Sequence, residues 1–214
     1  MHFEWSKFSV DSKIIWSILS IGLSPFIIQI ASSIVVFIIN NRLNVYGGSV
    51  AIEAYTIANR LTLIIILILV GLTQGMQPIV GYNFGAKKMK RVFSTVNYAI
   101  KVGASIGVFG LIVGVFGGDI VVRPFNPTDD LAEQSITALR IVTLMLPLSG
   151  IQMVISSFFQ SVGMPVKSTL LSLSRQFLFL MPALFILPYF FGLCGVWVSI
   201  PISDFISTLL AIML

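Results

Sequence analysis

Several stretches of this chain run for roughly 20 residues with almost nothing but apolar side chains, which is the length of helix that crosses a hydrocarbon core about 30 Å thick. Only 10% of the 214 residues are charged, while 57% are hydrophobic, and a soluble domain carries about 25% charge. So few charges cannot cover a water-facing surface. The medium around this chain is therefore a lipid bilayer. Within lipid every backbone amide and carbonyl needs a partner inside the protein, which leaves helices or a closed barrel. A barrel would show segments of about ten alternating residues, whereas the runs here are continuous. The expected fold is all-α, a polytopic membrane bundle.

Bounding the runs at Gly, Pro, Asn and charged clusters gives six expected transmembrane helices, at about 14–40, 51–82, 92–116, 131–162, 167–189 and 194–214, joined by short connections. Residues 1–13 interleave Phe3, Trp5 and Phe8 with Glu4, Lys7 and Asp11 and read as an amphipathic cytoplasmic linker ahead of a lobe spanning 14–214. The second and fourth segments are too long for one straight crossing. Bends are expected at Gly71, Gly75 and Pro78, at Pro147 with Gly150, and further along at Pro182 and Pro201. Basic residues gather on cytoplasmic loops, and here Lys7, Lys13, the cluster Lys87, Lys88, Lys90 and Arg91, and Lys167 fall on one side. Arg42 and Arg123, with acidic Asp119, Asp129, Asp130 and Glu133, fall on the other. Both ends are thus expected in the cytoplasm. The run to Leu214 ends without a polar cap, so a fragment or one lobe of a larger transporter is expected.

Polar side chains inside a membrane are costly and usually face a bundle interior or a wet cavity. The candidates for a substrate or ion pathway are Gln29, Glu53, Asn59, Arg60, Gln152, Arg175 and Asp204. Glu53 and Arg60 are two helical turns apart on one face, able to form a relay or a static pair through a third group. Asp204 falls about ten residues into the last helix, near mid-membrane. It suits either proton-linked switching or a buried pair with Arg140 or Arg175 that locks two helices together. Gln29 and Gln152 can bind substrate or bridge helices.

The net charge of +5 does not signal nucleic acid, because the basic residues sit at the ends of apolar runs instead of forming an aromatic-interleaved stripe. A lone Cys194 and a lone His2 offer neither a disulfide nor a metal cluster. There is no HExxH, GxGxxG, P-loop or GxSxG, so no enzyme, cofactor or metal centre is expected.

The stretch Gly71-Leu-Thr-Gln-Gly-Met-Gln-Pro-Ile-Val-Gly-Tyr-Asn-Phe-Gly-Ala86, followed by Lys87-Lys-Met-Lys-Arg91, resembles the long second helix and cytoplasmic turn in each half of a multidrug and toxic compound extrusion (MATE) transporter. Ala51-Ile-Glu-Ala-Tyr-Thr-Ile-Ala-Asn-Arg60, Phe158-Phe-Gln-Ser-Val-Gly-Met-Pro-Val-Lys167 and Gly195-Val-Trp-Val-Ser-Ile-Pro-Ile-Ser-Asp204 are similar to its other segments, in family order. The resemblance implies the C-terminal six-helix lobe of a secondary active exporter in a bacterial cell membrane. Such an exporter moves small organic cations and other drugs against Na+ or H+ by alternating access, working with an N-terminal six-helix lobe or a second copy. A lipid-linked oligosaccharide flippase of the same superfamily and a non-transporting structural protein are the alternatives. Where some members bind the coupling ion at acidic residues, this chain offers Gln29 and Gln152. That role then falls to Asp204 or Glu53, or to the other lobe.

Overall fold

The computed structural model describes residues 12–125 and 127–213, and among them every regular element is helical. Of the expected linker over 1–13, only Ser12 and Lys13 fall in the described residues, and both are already in the first helix. Three helical runs are long and apolar enough to cross a bilayer, Phe26–Gly85, Met89–Phe116 and Val166–Met213, and a bent pair, Asp129–Thr143 with Leu146–Ser161, makes a fourth.

Two of these runs are far too long to be single spans. At 1.5 Å per residue, 60 residues would reach about 90 Å, three membrane cores. Each run is instead broken at one glycine. Gly48 has φ 66° and ψ −161° inside Ser12–Gly85, and Gly192 has φ 57° and ψ −135° inside Met181–Met213. Side chains either side of Gly48 then meet: Val35, Ile39 and Leu43 share one buried cluster with Ala51, Tyr55 and Ala58, which a straight rod would hold tens of ångströms apart. At Gly192 the turn is so tight that a Cβ on Gly195 would collide with Leu187 O. The architecture is therefore six spans: α1 (12–47), α2 (49–85), α3 (Met89–Phe116), the broken pair α4 (Asp129–Thr143) and α5 (Leu146–Ser161), α6 (165–191) and α7 (193–213).

The residues expected as a loop at 41–50 remain helical up to Gly48. Asn40, Asn41, Arg42 and Asn44 do not break the helix, because propensity yields to packing. Gly71, Gly75 and Pro78 do not interrupt α2 either, since Gly48 is the one non-helical residue in the run. The fourth span does break, by 45°, at Leu144 and Met145, and Pro147 opens the next helix. Proline there removes the N–H that would have continued the ladder. In the fifth span the backbone widens into a π-helix at Ser174–Leu180, with Met181 N–H bonded to Gln176 O. Pro182, next in line, has no N–H to return the ladder to α register at that point.

The turns sort by side. Gly47, beside the first break, lies against Leu193 of the second, so both glycine turns sit at one end. At the other end Gly81 approaches Ser161 O, bringing the Lys87 turn near the Gly163 turn. The exposed cluster Lys87, Lys88, Lys90 and Arg91 thus shares an end with Lys167, away from the connection carrying Asp119 and Asp129. Both turns at this end close with a six-to-one bond, Lys88 N–H to Asn83 O at 2.9 Å and Met164 N–H to Phe159 O at 2.9 Å. The left-handed position is filled by Lys87 (φ 57°) in one and Gly163 (φ 78°) in the other.

Packing in lipid relies on close approach, not water exclusion. Gly103, Gly107, Gly110 and Gly114 form the buried stripe of α3, set against the α4–α5 break. A Cβ on Gly107 would stand 2.5 Å from both Leu146 O and Pro147 Cα. Large side chains such as Phe37, Phe116 and Tyr189 are exposed, as lipid-facing residues are.

Two substitutions test this framework. Gly107→Val should destabilise the protein by about 1–3 kcal/mol or more through backbone overpacking, seen as a lower thermal midpoint in detergent. Gly48→Ala, at a position with open space around it, should still cost about 1–3 kcal/mol, because only glycine adopts that backbone region readily.

Candidate functional site

The polar residues of α5 recur as Ser149, Gln152, Ser156 and Gln160, with Ser157 beside them, a spacing that keeps them on one helical face. On α6 Ser168, Ser172, Arg175 and Gln176 do the same. These two faces meet α2 around a chamber of about 290 Å3, lined by Gln77, Gln152, Gln160, Gln176 and Arg175 together with Thr73, Met153, Ile28 and four serines. Gln77 Nε2 donates to Ser157 Oγ at 3.1 Å and to Gln160 Oε1 at 2.9 Å. Gln176 Nε2 donates to Ser32 Oγ at 2.9 Å, and Ser156 and Ser168 share a hydroxyl bond of 2.9 Å. Among the described residues Arg175 is the sole charged group on this wall.

A second chamber, of about 260 Å3, lies beside the first and shares Arg175 and Met153 with it. Its polar groups are Tyr55, Asn59, Thr62, Ser149 and Asp204, set among Ile39, Ile66, Val142, Leu146, Leu180 and Ile200. Arg175 Nε donates to Asp204 Oδ1 at 2.6 Å, and Ser149 Oγ donates to Asp204 Oδ2 at 2.7 Å. Both carboxylate oxygens are thus engaged, and the residue is only 5% exposed. The Arg175 side chain is one-third exposed and lines both chambers. Ser207 Oγ and Thr208 Oγ1 donate to the Asp204 carbonyl, fixing α7 at this level. One ion pair and one hydroxyl therefore tie α5, α6 and α7 together.

Of the residues singled out from the sequence, Asn59, Arg175 and Asp204 converge on the second chamber, and Gln152, 5% exposed, faces the first. Of the two arginines weighed as partners for Asp204, Arg175 makes the pair, and Arg140 is exposed. Gln29, Glu53 and Arg60 are exposed and line neither chamber. Glu53 and Arg60 form no pair with each other; the Arg60 guanidinium lies 5.6 Å over the Phe125 ring. Tyr55, Ser149, Gln160 and Gln176 were not singled out. The polar period along 149–160 is the signal that points to them. Among the described residues no group of three or more His, Cys, Asp or Glu is placed to hold a metal ion.

The MatE family model matches residues 21–186. The chain belongs to the MATE family. Among its relatives, it is 30% identical over 206 residues to the multidrug export protein MepA of Staphylococcus aureus (strain MSSA476), covering 95% of this chain and 45% of that protein. With MepA of Staphylococcus haemolyticus (strain JCSC1435) it shares 28% identity over 194 residues, 91% and 42% of the two chains. Its fold matches that of a multidrug resistance MATE family transporter of the MOP superfamily in an outward-facing conformation, with TM-score 0.87 and 25% identity over 98% of this chain and 48% of the other. An inward-facing conformation of such a transporter also matches, with TM-score 0.87 and 24% identity over 98% and 49%. The chain spans about half the length of these MATE relatives. The six spans are thus a MATE fold at half length, and Asp204, Arg175 and Ser149 form the polar crossing point inside it.

Removing the hydroxyl from this crossing point should be felt throughout the bundle. Ser149→Ala takes one hydrogen bond from a buried carboxylate, a loss of about 1.5–3 kcal/mol for bonds to charged groups, which a thermal unfolding series in detergent would register.

Proposed function

We propose that the chain is the C-terminal six-helix lobe of a secondary active exporter, which moves organic cations and other amphipathic drugs out of a bacterial cell in exchange for Na+ or H+. The observation that carries this reading is the buried Asp204–Arg175 pair standing between two chambers, in a fold shared with multidrug exporters. Ionisable groups inside a bundle mark ion and substrate pathways. A carboxylate whose partner is a removable cation can answer to the ion gradient. The apolar walls of the second chamber suit the body of an amphipathic drug, as promiscuous sites combine adaptable apolar surface with few polar anchors.

The other lobe, or a second copy of this one, supplies the facing wall, and alternating access arises as the two lobes rock about the path between them. The basic end formed by Lys87, Lys88, Lys90, Arg91 and Lys167 faces the cytoplasm, and both ends of the lobe lie on that side.

Cells carrying the complete two-lobe protein should extrude ethidium, and an ionophore should abolish that extrusion. Efflux indifferent to Na+ and proton gradients would remove antiport. Asp204→Asn should slow efflux on the order of tenfold or more, equivalent to about 1.4 kcal/mol in the rate-limiting step, with membrane insertion unchanged. Normal efflux by that variant would leave Asp204 only its role in joining helices.

A further inference from the structure

The two chambers have opposite electrostatic needs. The second holds a buried carboxylate, which cannot stand in a low-dielectric interior without a cation. In this structure the cation is Arg175. Among the described residues the first chamber has no carboxylate, and its wall is rich in amide and hydroxyl oxygens. One acceptor there is unused: Gln176 Oε1 is buried with no hydrogen-bond partner among the described residues, and Gln152 lies on the same wall. Leaving a buried polar atom unpaired costs about 1–3 kcal/mol, so such atoms ask for an explanation. A guanidinium carries five donors and accepts nothing, which is the complement of that wall.

Arg175 already lines both spaces and is bonded to Asp204 through Nε alone. It also stands in the π-helical stretch Ser174–Leu180, and π turns concentrate at functional sites. We propose that Arg175 is a tethered cation with two seats, one on Asp204 and one among the glutamines of the first chamber, and that Asp204 with Ser149 is a binding site for an external monovalent cation that displaces it. Asp204 then never loses its counter-charge, and the displaced guanidinium never loses its acceptors. The ligand is a singly charged cation, either an alkali ion or the charged end of an organic molecule, with the oxygens of Ser149, Thr62, Asn59 and Tyr55 close by. This deepens the exporter reading and rests on it only for the use to which the displacement is put.

The protein in lipid nanodiscs is tested by equilibrium binding of two probes, radiolabelled Na+ and tetraphenylphosphonium. Removing the tethered competitor with Arg175→Gln should tighten binding about tenfold or more, as expected for relieving a competing buried charge. Asp204→Asn should abolish binding, alone or combined with Arg175→Gln. Because Arg175→Gln leaves a buried carboxylate unpaired and can fail to fold, the second seat is tested separately with Gln152→Leu and Gln176→Leu. These keep the ion pair and should weaken cation binding severalfold, as losing one or two hydrogen bonds to the displaced guanidinium implies, with the same elution profile as the unaltered protein. Tightening for Na+ alone assigns the seat to an alkali ion, and tightening for tetraphenylphosphonium alone assigns it to an organic cation. Unchanged or weaker binding of both probes in a folded Arg175→Gln variant, or unchanged binding in both leucine variants, overturns the proposal. Ethidium efflux measured in parallel keeps the two readings apart. Efflux without the competition discards the two-seat site alone, and competition without efflux discards the exporter alone.

Discussion

Backbone polar groups that find no water must find each other, so each span of this chain keeps its helical ladder and the reversals fall at its ends. A loop at a membrane boundary exposes several unpaired amides and carbonyls. At Gly48 and Gly192 the reversal is confined to one residue each, so the helical ladder runs almost to the turn on both sides. Only a residue without a Cβ enters such a conformation cheaply. The two turns pack against each other through Gly47 and Leu193, and nearby the Arg42 guanidinium lies 4.1 Å over the Phe185 ring. One end of the bundle is therefore closed by glycine geometry and a cation on an aromatic face. The opposite end closes through left-handed helix caps at Lys87 and Gly163.

The number and order of the spans were readable because they depend on sums over many residues. Twenty apolar side chains outweigh any one exception, so composition and run length carried the six-helix bundle. Features that depend on one residue were not readable in this way. Asn40, Asn41 and Asn44 look like loop residues, yet they ride on a continuous helix, because in a membrane protein they can mark the water interface as well as a turn. Gly71, Gly75 and Pro78 look like breakers and leave the helical backbone angles intact, since the ladder loses only the one N–H that proline lacks. The glycines of α3 could be counted in the sequence, but their fit against the α4–α5 break depends on where that break falls.

The candidate site divides along the same line. Asp204 and Arg175 were visible as costly charges in apolar surroundings, and their pairing was one of two arginine options. Distance in three dimensions selected between them: the π-helical stretch sets Arg175 beside α7, whereas Arg140 sits on an exposed face of α4. Glu53 and Arg60 share a helical face, as their spacing requires, but sharing a face is not contact, and Phe125 from the α3–α4 connection takes the guanidinium. The amide and hydroxyl stripes of α5 and α6 gave no alarm individually, because serine and glutamine often serve simply to join membrane helices. Their significance lies in the two stripes facing each other.

Such an arrangement has a consequence for how the bundle can move. Well-packed glycine contacts between α3 and the α4–α5 break admit little sliding, because a displacement of less than an ångström brings backbone atoms into overlap. The region around Arg175 is different: a widened helical turn, two adjoining chambers and a side chain with open space on both sides. Space for a side chain to change its position is therefore greatest where the charges of this bundle are, and the glycine stripe holds the rest of the bundle in register. A cation that alters the partner of Asp204 acts on α5, α6 and α7 together, because among the described residues that carboxylate is the one group bonded to side chains from the first two while rooted in the third.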